Sequence, residues 1–321
     1  MRHFREINLY RIPVLCILVS FGTLYGISIR EQNQAKSHME VTVILVKAFT
    51  QNKDAGNPAG VILGADYLSY DQMFAIAQFL GFSESVFVTK SNRAQHRFTY
   101  FSPTQEVDAC AHATIAAIHV IDPNDSITYE TNLGLFEAFK DEDGMISLAQ
   151  GSPDFIRTVR KQDIADCLGV EKEKLECDGH KVPWVVSTGV PKLLVPIQTR
   201  QDLFDIKPDF EKIAQYCEKI GARGIYVYTL DPIDPDHSAH ARQFNPLSGI
   251  NEDPVTGIAA SALGSYFYLR NRKEAVYHIE QGDCLGKPGI IEVRVWPTGM
   301  YSCRVRVAGQ AVIYGESVLA V

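Results

Sequence analysis

The sequence contains no CxxC pair, no GxGxxG stretch and no GxxxxGK[ST] loop. These gaps remove the usual marks of a thiol–disulfide site, a dinucleotide-binding turn and a phosphate-cradling loop. The seven cysteines (Cys16, Cys110, Cys167, Cys177, Cys217, Cys284 and Cys303) are scattered and odd in number, so neither a disulfide framework nor a zinc site is expected. Basic residues are outnumbered, 31 Lys and Arg against 38 Asp and Glu, and they form no stripe, which excludes nucleic acid as a partner. Long apolar runs are absent beyond residue 29.

What remains is an ordinary globular composition, 46% hydrophobic and 21% charged over 321 residues, enough for two domains with real cores. The first 38 residues stand apart. Arg2, Arg5 and Arg11 flank an apolar run from Ile12 to Ile29, and a polar segment follows. A basic flank before an apolar stretch fits a signal peptide or membrane anchor, although Pro13 and the interspersed Ser, Gly and Thr weaken a spanning helix. A start codon placed too far upstream fits as well, because Met39 directly precedes the strand-like Val41–Val46. We take residues 1–38 as a leader or non-native extension and Met39 as the functional beginning. The expected location is then cytoplasmic, with membrane contact or export only through that leader.

Two distant stretches match without a gap. Phe101-Ser-Pro-Thr-Gln-Glu-Val-Asp-Ala-Cys-Ala-His-Ala-Thr-Ile-Ala-Ala117 slides onto Phe244-Asn-Pro-Leu-Ser-Gly-Ile-Asn-Glu-Asp-Pro-Val-Thr-Gly-Ile-Ala-Ala260, pairing Phe101 with Phe244, Pro103 with Pro246 and Cys110 with Asp253. Upstream, Gly56-Asn-Pro resembles Gly189-Val-Pro, and Asp71–Leu80 resembles Phe210–Cys217 with a shared Ile-Ala-Gln. Val86–Val88 resembles Ile225–Val227, which sets Glu84 against Arg223. Gly81 and Gly221 follow the matched helices as stops. The same elements in the same order predict an internal duplication. Each half should be α+β, a curved, barrel-like sheet wrapped around one alanine-rich central helix. The division expected is 39–150 for the first half, completed by about 303–321, and 151–302 for the second. Two helix N-termini would then meet at a cleft, where free N–H groups favour a carboxylate.

Chemistry is sought where the copies differ. Glu84, Cys110, His112 and Asp253 have no equivalents of like chemistry in the other half. Each also has a plain structural reading. Glu84 fits a solvated loop charge, His112 a hydrogen-bonding group in a first turn, and Cys110 a small buried hydrophobe. Asp253 before Pro254 fits an N-cap. His237-Ser-Ala-His240 lies beside Asp231, Asp234 and Asp236, but its spacing lacks metal-ligand regularity and reads as a solvated turn, so no metal is assigned.

Taken together, Gly56-Asn-Pro-Ala-Gly, Ser83-Glu84, Phe101-x-Pro103, Cys110-Ala-His-Ala-Thr114 and Glu252-Asp-Pro-Val-Thr-Gly257 resemble the PhzF (phenazine-biosynthesis-like) isomerase family over about residues 40–320. The resemblance implies the diaminopimelate-epimerase-like fold, an active site between its halves and a homodimer. It also implies an isomerase that moves a proton within a small carboxylate-bearing substrate, cyclic ones included, without metal or organic cofactor. Carried over by motif, the catalytic residues are Glu84, His112 and Asp253. The substrate contacts are Ser83, Cys110, Ala111, Ala113, Thr256, Gly257 and Ile258. Two positions depart from the family: its usual Gly before the histidine is Ala111, and its common Ser after Asp-Pro-Val-Thr-Gly is Ile258. Both point away from the family's founding substrate, trans-2,3-dihydro-3-hydroxyanthranilate. Two other readings remain open, an amino-acid racemase or epimerase using Cys110 and Asp253, and an inactive scaffold that only binds a small molecule.

Overall fold

The computed structural model describes residues 39–321 apart from 124, 300 and 301, together with the two-residue strand Arg5–Glu6. The reading of residues 1–38 as a leader lies outside the described residues, that strand excepted; Arg5 and Glu6 pair parallel with Leu319 and Ala320. Among the described residues no helix is long and apolar enough to cross a membrane.

The duplication is visible in the hydrogen-bond ladders. One succession runs Ala311–Ala320, Glu40–Ala48, Asn57–Leu63, Glu84–Thr89, His96–Phe101, Ser126–Thr131, Gly134–Lys140 and Ile146–Ala149. The other runs Asp154–Thr158, Trp184–Ser187, Pro191–Pro196, Ile225–Thr229, Ala239–Asn245, Ala275–Gln281, Gly289–Pro297 and Cys303–Gly309. Both follow the same order of senses: antiparallel twice, parallel, antiparallel, parallel, antiparallel twice. Their last strands pair with each other, Cys303–Gly309 against Ile146–Ala149.

The alternation of the strands explains why each sheet carries helices on both faces. Val61 and Val86 point inward to the first central helix, Ala111–Ile121, while the neighbouring Ile62 and Phe87 point outward to the helix Tyr70–Leu80. In the second half Leu194 and Tyr226 face the central helix Gly257–Asn271, while Leu193 and Ile225 face the outer helix Phe210–Ile220. Phe101 and Phe244, matched in sequence, both pack outward. The central helices are buried along most of their length, from Ala111 to Ile118 and from Ala259 to Tyr268. Alanine lets strands close on a helix from several sides, and it carries the best intrinsic helix propensity. Tyr70–Leu80 opens with a reciprocal capping box between Ser69 and Gln72 and stops at Gly81, φ 64°. Its counterpart Phe210–Ile220 stops at Gly221, φ 73°.

Two local expectations are corrected. Asp253 is not an N-cap: it ends the strand Ile250–Asp253, and the helix begins at Gly257 with Thr256 in the capping position. Pro254 has no N–H to give, and Asp253 is held by side chains instead. The partner of Glu84 also shifts by one residue. Ser85 pairs with Phe101 and Ile225 with Phe244, so the ladder sets Glu84 against Gly224 rather than Arg223. Short apolar strands fit in either of two adjacent registers by composition alone, and the ladder decides between them.

Candidate active site

The two central helices start side by side. A Cβ built on Gly257 would stand 2.8 Å from the Cβ of Ala111 and 2.9 Å from Cζ of Phe49, so only glycine permits this approach. Neither helix start receives a side-chain cap, which leaves first-turn N–H groups available to a ligand. Glu84 arrives at the same place because the chain turns at Gly81 and enters a strand whose first residue lies beside Ala59. Asp253 arrives from the other half at the end of its own strand. Together they edge a cavity of about 320 Å³ whose lining includes Glu84, His112, Lys192, Arg223, Asp253 and Ile258.

Within it, Glu84 Oε2 lies 3.6 Å from His112 Nε2 and 3.6 Å from the Cys110 sulfur. The first separation exceeds an ordinary N–H···O bond, so the imidazole leaves bonding capacity on the carboxyl for a ligand. His112 Nδ1 sits 3.2 Å from the Asn57 amide nitrogen and 3.3 Å from the Cys110 sulfur. The amide's two hydrogens go to Asp253 and the Val255 carbonyl at 2.8 Å, so the Cys110 thiol is the donor within reach of Nδ1, and with it donating there the imidazole proton sits on Nε2, facing Glu84. Asp253 is held from three sides. Its Oδ1 accepts from Asn57 Nδ2 at 2.8 Å and from Ser83 Oγ at 2.9 Å, and its Oδ2 accepts from the Thr256 hydroxyl. Gln281 pins the turn that carries it, donating to the Asp253 carbonyl at 2.8 Å and accepting from the Thr256 N–H at 3.1 Å.

Burial sets the proton affinities. Glu84, its side chain only 14% exposed, is pushed up to about 8, first by loss of water and then by the negative Asp253; the Cys110 contact and Lys192 oppose this. Burial holds His112 below the ordinary imidazole value, with Asp253 pulling the other way. The Cys110 thiol is raised well above its ordinary value by burial and then by Glu84, so it stays protonated near neutrality. Lys192 is lowered to about 8 by burial, against the pull of Asp253 and Glu84, and its ammonium donates to the Arg223 carbonyl at 2.6 Å.

The sequence-based site residues do not all stand alike. Glu84, Cys110, Ala111, His112, Asp253, Thr256, Gly257 and Ile258 line the cavity. Ser83 and Ala113 do not: Ser83 is buried and acts on Asp253, and Ala113 is fully buried in the helix. Sequence reasoning missed Asn57, Lys192 and Gln281. A signal existed for the first two. The duplication sets Asn57 against Val190 and, at the same offset, Ala59 against Lys192, so both are positions where the copies diverge.

Ligand atoms of Glu84, Cys110 and His112 lie within 4.8 Å of one another and are the set among the described residues able to hold a metal ion. The His237–His240 segment is not the solvated turn expected. His240 is fully buried, and His237 and His240 each place Nδ1 2.8 Å from a Glu280 oxygen. The six cysteines among the described residues are free thiols.

The family model described as phenazine biosynthesis-like protein matches residues 46–317. The chain is 32% identical over 291 residues to the uncharacterized isomerase YfhB of Bacillus subtilis, covering 87% of this chain and 98% of that protein. A crystal structure of a PhzF-family phenazine biosynthesis protein from Bacillus anthracis matches with a TM-score of 0.82 at 29% identity, over 88% of this chain and 100% of that one. The fold extends to a hydroxyproline epimerase from Agrobacterium vitis crystallised with trans-4-hydroxy-L-proline, TM-score 0.60 at 12% identity, over 88% of this chain and 91% of that one. This chain, two pseudo-symmetric halves on a diaminopimelate-epimerase-like fold, belongs to the phenazine biosynthesis-like PhzF family and is an isomerase.

Proposed function

We propose that the protein moves a proton within a small carboxylate-bearing metabolite, cyclic ones included, using its own side chains as acid and base. Glu84 in its carboxylate form takes a proton from a substrate carbon and returns it at another atom of the conjugated system, so no other reactant is consumed. The developing negative charge on the substrate meets first-turn N–H groups of the two central helices and the ammonium of Lys192. His112 Nε2 donates toward Glu84 or the substrate, and Asp253, fixed by Asn57, Ser83 and Thr256, orients the bound molecule.

The observation that carries this reading is the state of Glu84. It is a carboxyl in a sheltered cavity, its proton affinity raised toward working pH, and its two nearest polar neighbours stand 3.6 Å away. The racemase reading, which pairs Cys110 with Asp253, is weakened by two facts. The thiol is held protonated, and the oxygens of Asp253 already accept three hydrogen bonds. The test is incubation with a panel of cyclic and α-amino carboxylates in heavy water, read by proton NMR. Deuterium should enter one class of carbon acid with the native enzyme and none with Glu84→Gln, which should still bind. Turnover retained in Glu84→Gln rejects the assignment.

A further inference from the structure

A second cavity of about 300 Å³ adjoins the first. Ala109, Cys110, Ala111, Val190 and Ile258 line both. Their characters differ sharply. The first cavity is lined by Glu84, Lys192, Arg223 and Asp253, whereas no charged residue lines the second. Its wall is built from Tyr100, Tyr129, Phe136, Leu133 and Leu148, with Tyr129 and Phe136 stacked at 5.7 Å between ring centroids.

Four of the five hydroxyls in that wall, all but that of Tyr129, are bonded within the protein. Tyr100 and Thr114 bond each other at 2.6 Å, and Thr114 also donates to the Cys110 carbonyl at 2.6 Å. Thr188 bonds Ser261 at 2.6 Å, and Thr131 accepts from the Leu133 N–H at 3.1 Å. A space without charged groups and with most of its hydroxyls bonded internally gains more from an apolar occupant than from a strongly polar one. Its size suits one: an apolar cavity of roughly 150 Å³ holds a benzene ring.

Ile258 stands at the junction, half-buried, in the first turn of the second central helix. Its branched side chain extends the apolar surface from the chamber to the edge of the charged cavity.

We infer that the chamber is a substrate subsite, and that the natural substrate is a carboxylate carrying an aryl or branched alkyl substituent that fills it. The inference rests on the proposed function: the carboxylate end occupies the cavity of Glu84 and Lys192 while the apolar end passes Ile258 into the chamber.

Calorimetric titration of the full chain with butanoate and with 4-phenylbutanoate tests this without any turnover. The phenyl acid should bind at least tenfold more tightly. Ala149→Phe, which fills the chamber from its wall, should cut that ratio to about twofold or less. Leu133→Asp does the same from a position 46% exposed, where folding is not at stake, by setting a charge at the chamber's edge. Equal affinity for the two acids overturns the subsite and leaves the carboxylate site standing. So does a tenfold ratio that persists in a folded Leu133→Asp variant. Failure of both acids to bind overturns the carboxylate site and the subsite with it.

Discussion

Asn57 donates to Asp253 across 196 residues of chain, at 2.8 Å, and so fastens one half of the protein to the other at the floor of the cavity. The same amide nitrogen donates to the Val255 carbonyl at 2.8 Å and reaches His112 Nδ1 at 3.2 Å. Gly56 delivers it there: φ is +72°, and a Cβ would stand 2.4 Å from the Ala48 carbonyl oxygen. One side chain thereby sets the positions of two acid–base residues that arise in different halves.

Replacing Asn57 by Ala strips a donor from a buried carboxyl, an effect of about 1–3 kcal/mol. Asn57→Asp should be worse, since an acid then faces an acid. Urea unfolding should rank stability as native, then Ala, then Asp, with activity falling in the same order.

Glu84→Gln should abolish turnover and change stability with a definite pH dependence. In the folded protein Glu84 keeps its proton to about pH 8, whereas the unfolded chain releases it near 4.5. Native stability from this group is therefore intact below pH 4.5 and declines as pH rises toward 8. The glutamine variant lacks that decline. Its stability advantage should grow from pH 4.5 to 8 by on the order of 1.4 kcal/mol per pH unit, then level off. Thermal unfolding of both proteins across that range measures it.

Lys192 carries a positive charge that partly restrains the rise in Glu84. Lys192→Met removes the restraint, so Glu84 ionises at higher pH. The rising limb of kcat/KM against pH should move upward, by about one unit, while the fold is kept. An unmoved limb in an active variant would separate Lys192 from the acid–base chemistry.

Gly257→Ala drives a methyl group into Ala111 and Phe49. Overpacking of this kind destabilises by about 1–3 kcal/mol. The double variant Gly257→Ala/Ala111→Gly should recover part of the loss, and a double-mutant cycle from thermal unfolding gives the coupling.

The sequence by itself determined the doubled architecture. Phe101 and Phe244, the Gly81 and Gly221 stops and the alanine-rich central helices obey local rules of packing and capping, and those rules act on residues near one another in the chain. It also singled out Glu84, Cys110, His112 and Asp253, because a departure between two copies can be read letter by letter; their expected roles came from the family resemblance. Only the tertiary structure decided that Asn57 grips Asp253, that Glu84 lies opposite Gly224 in the duplication and that the second helix starts at Gly257 and not after Asp253. It alone decided the chamber beside the site and the burial of Lys192 against two acids. Such facts depend on which strands share a ladder and on how much water each group loses, and both are settled by contacts between residues far apart in the chain.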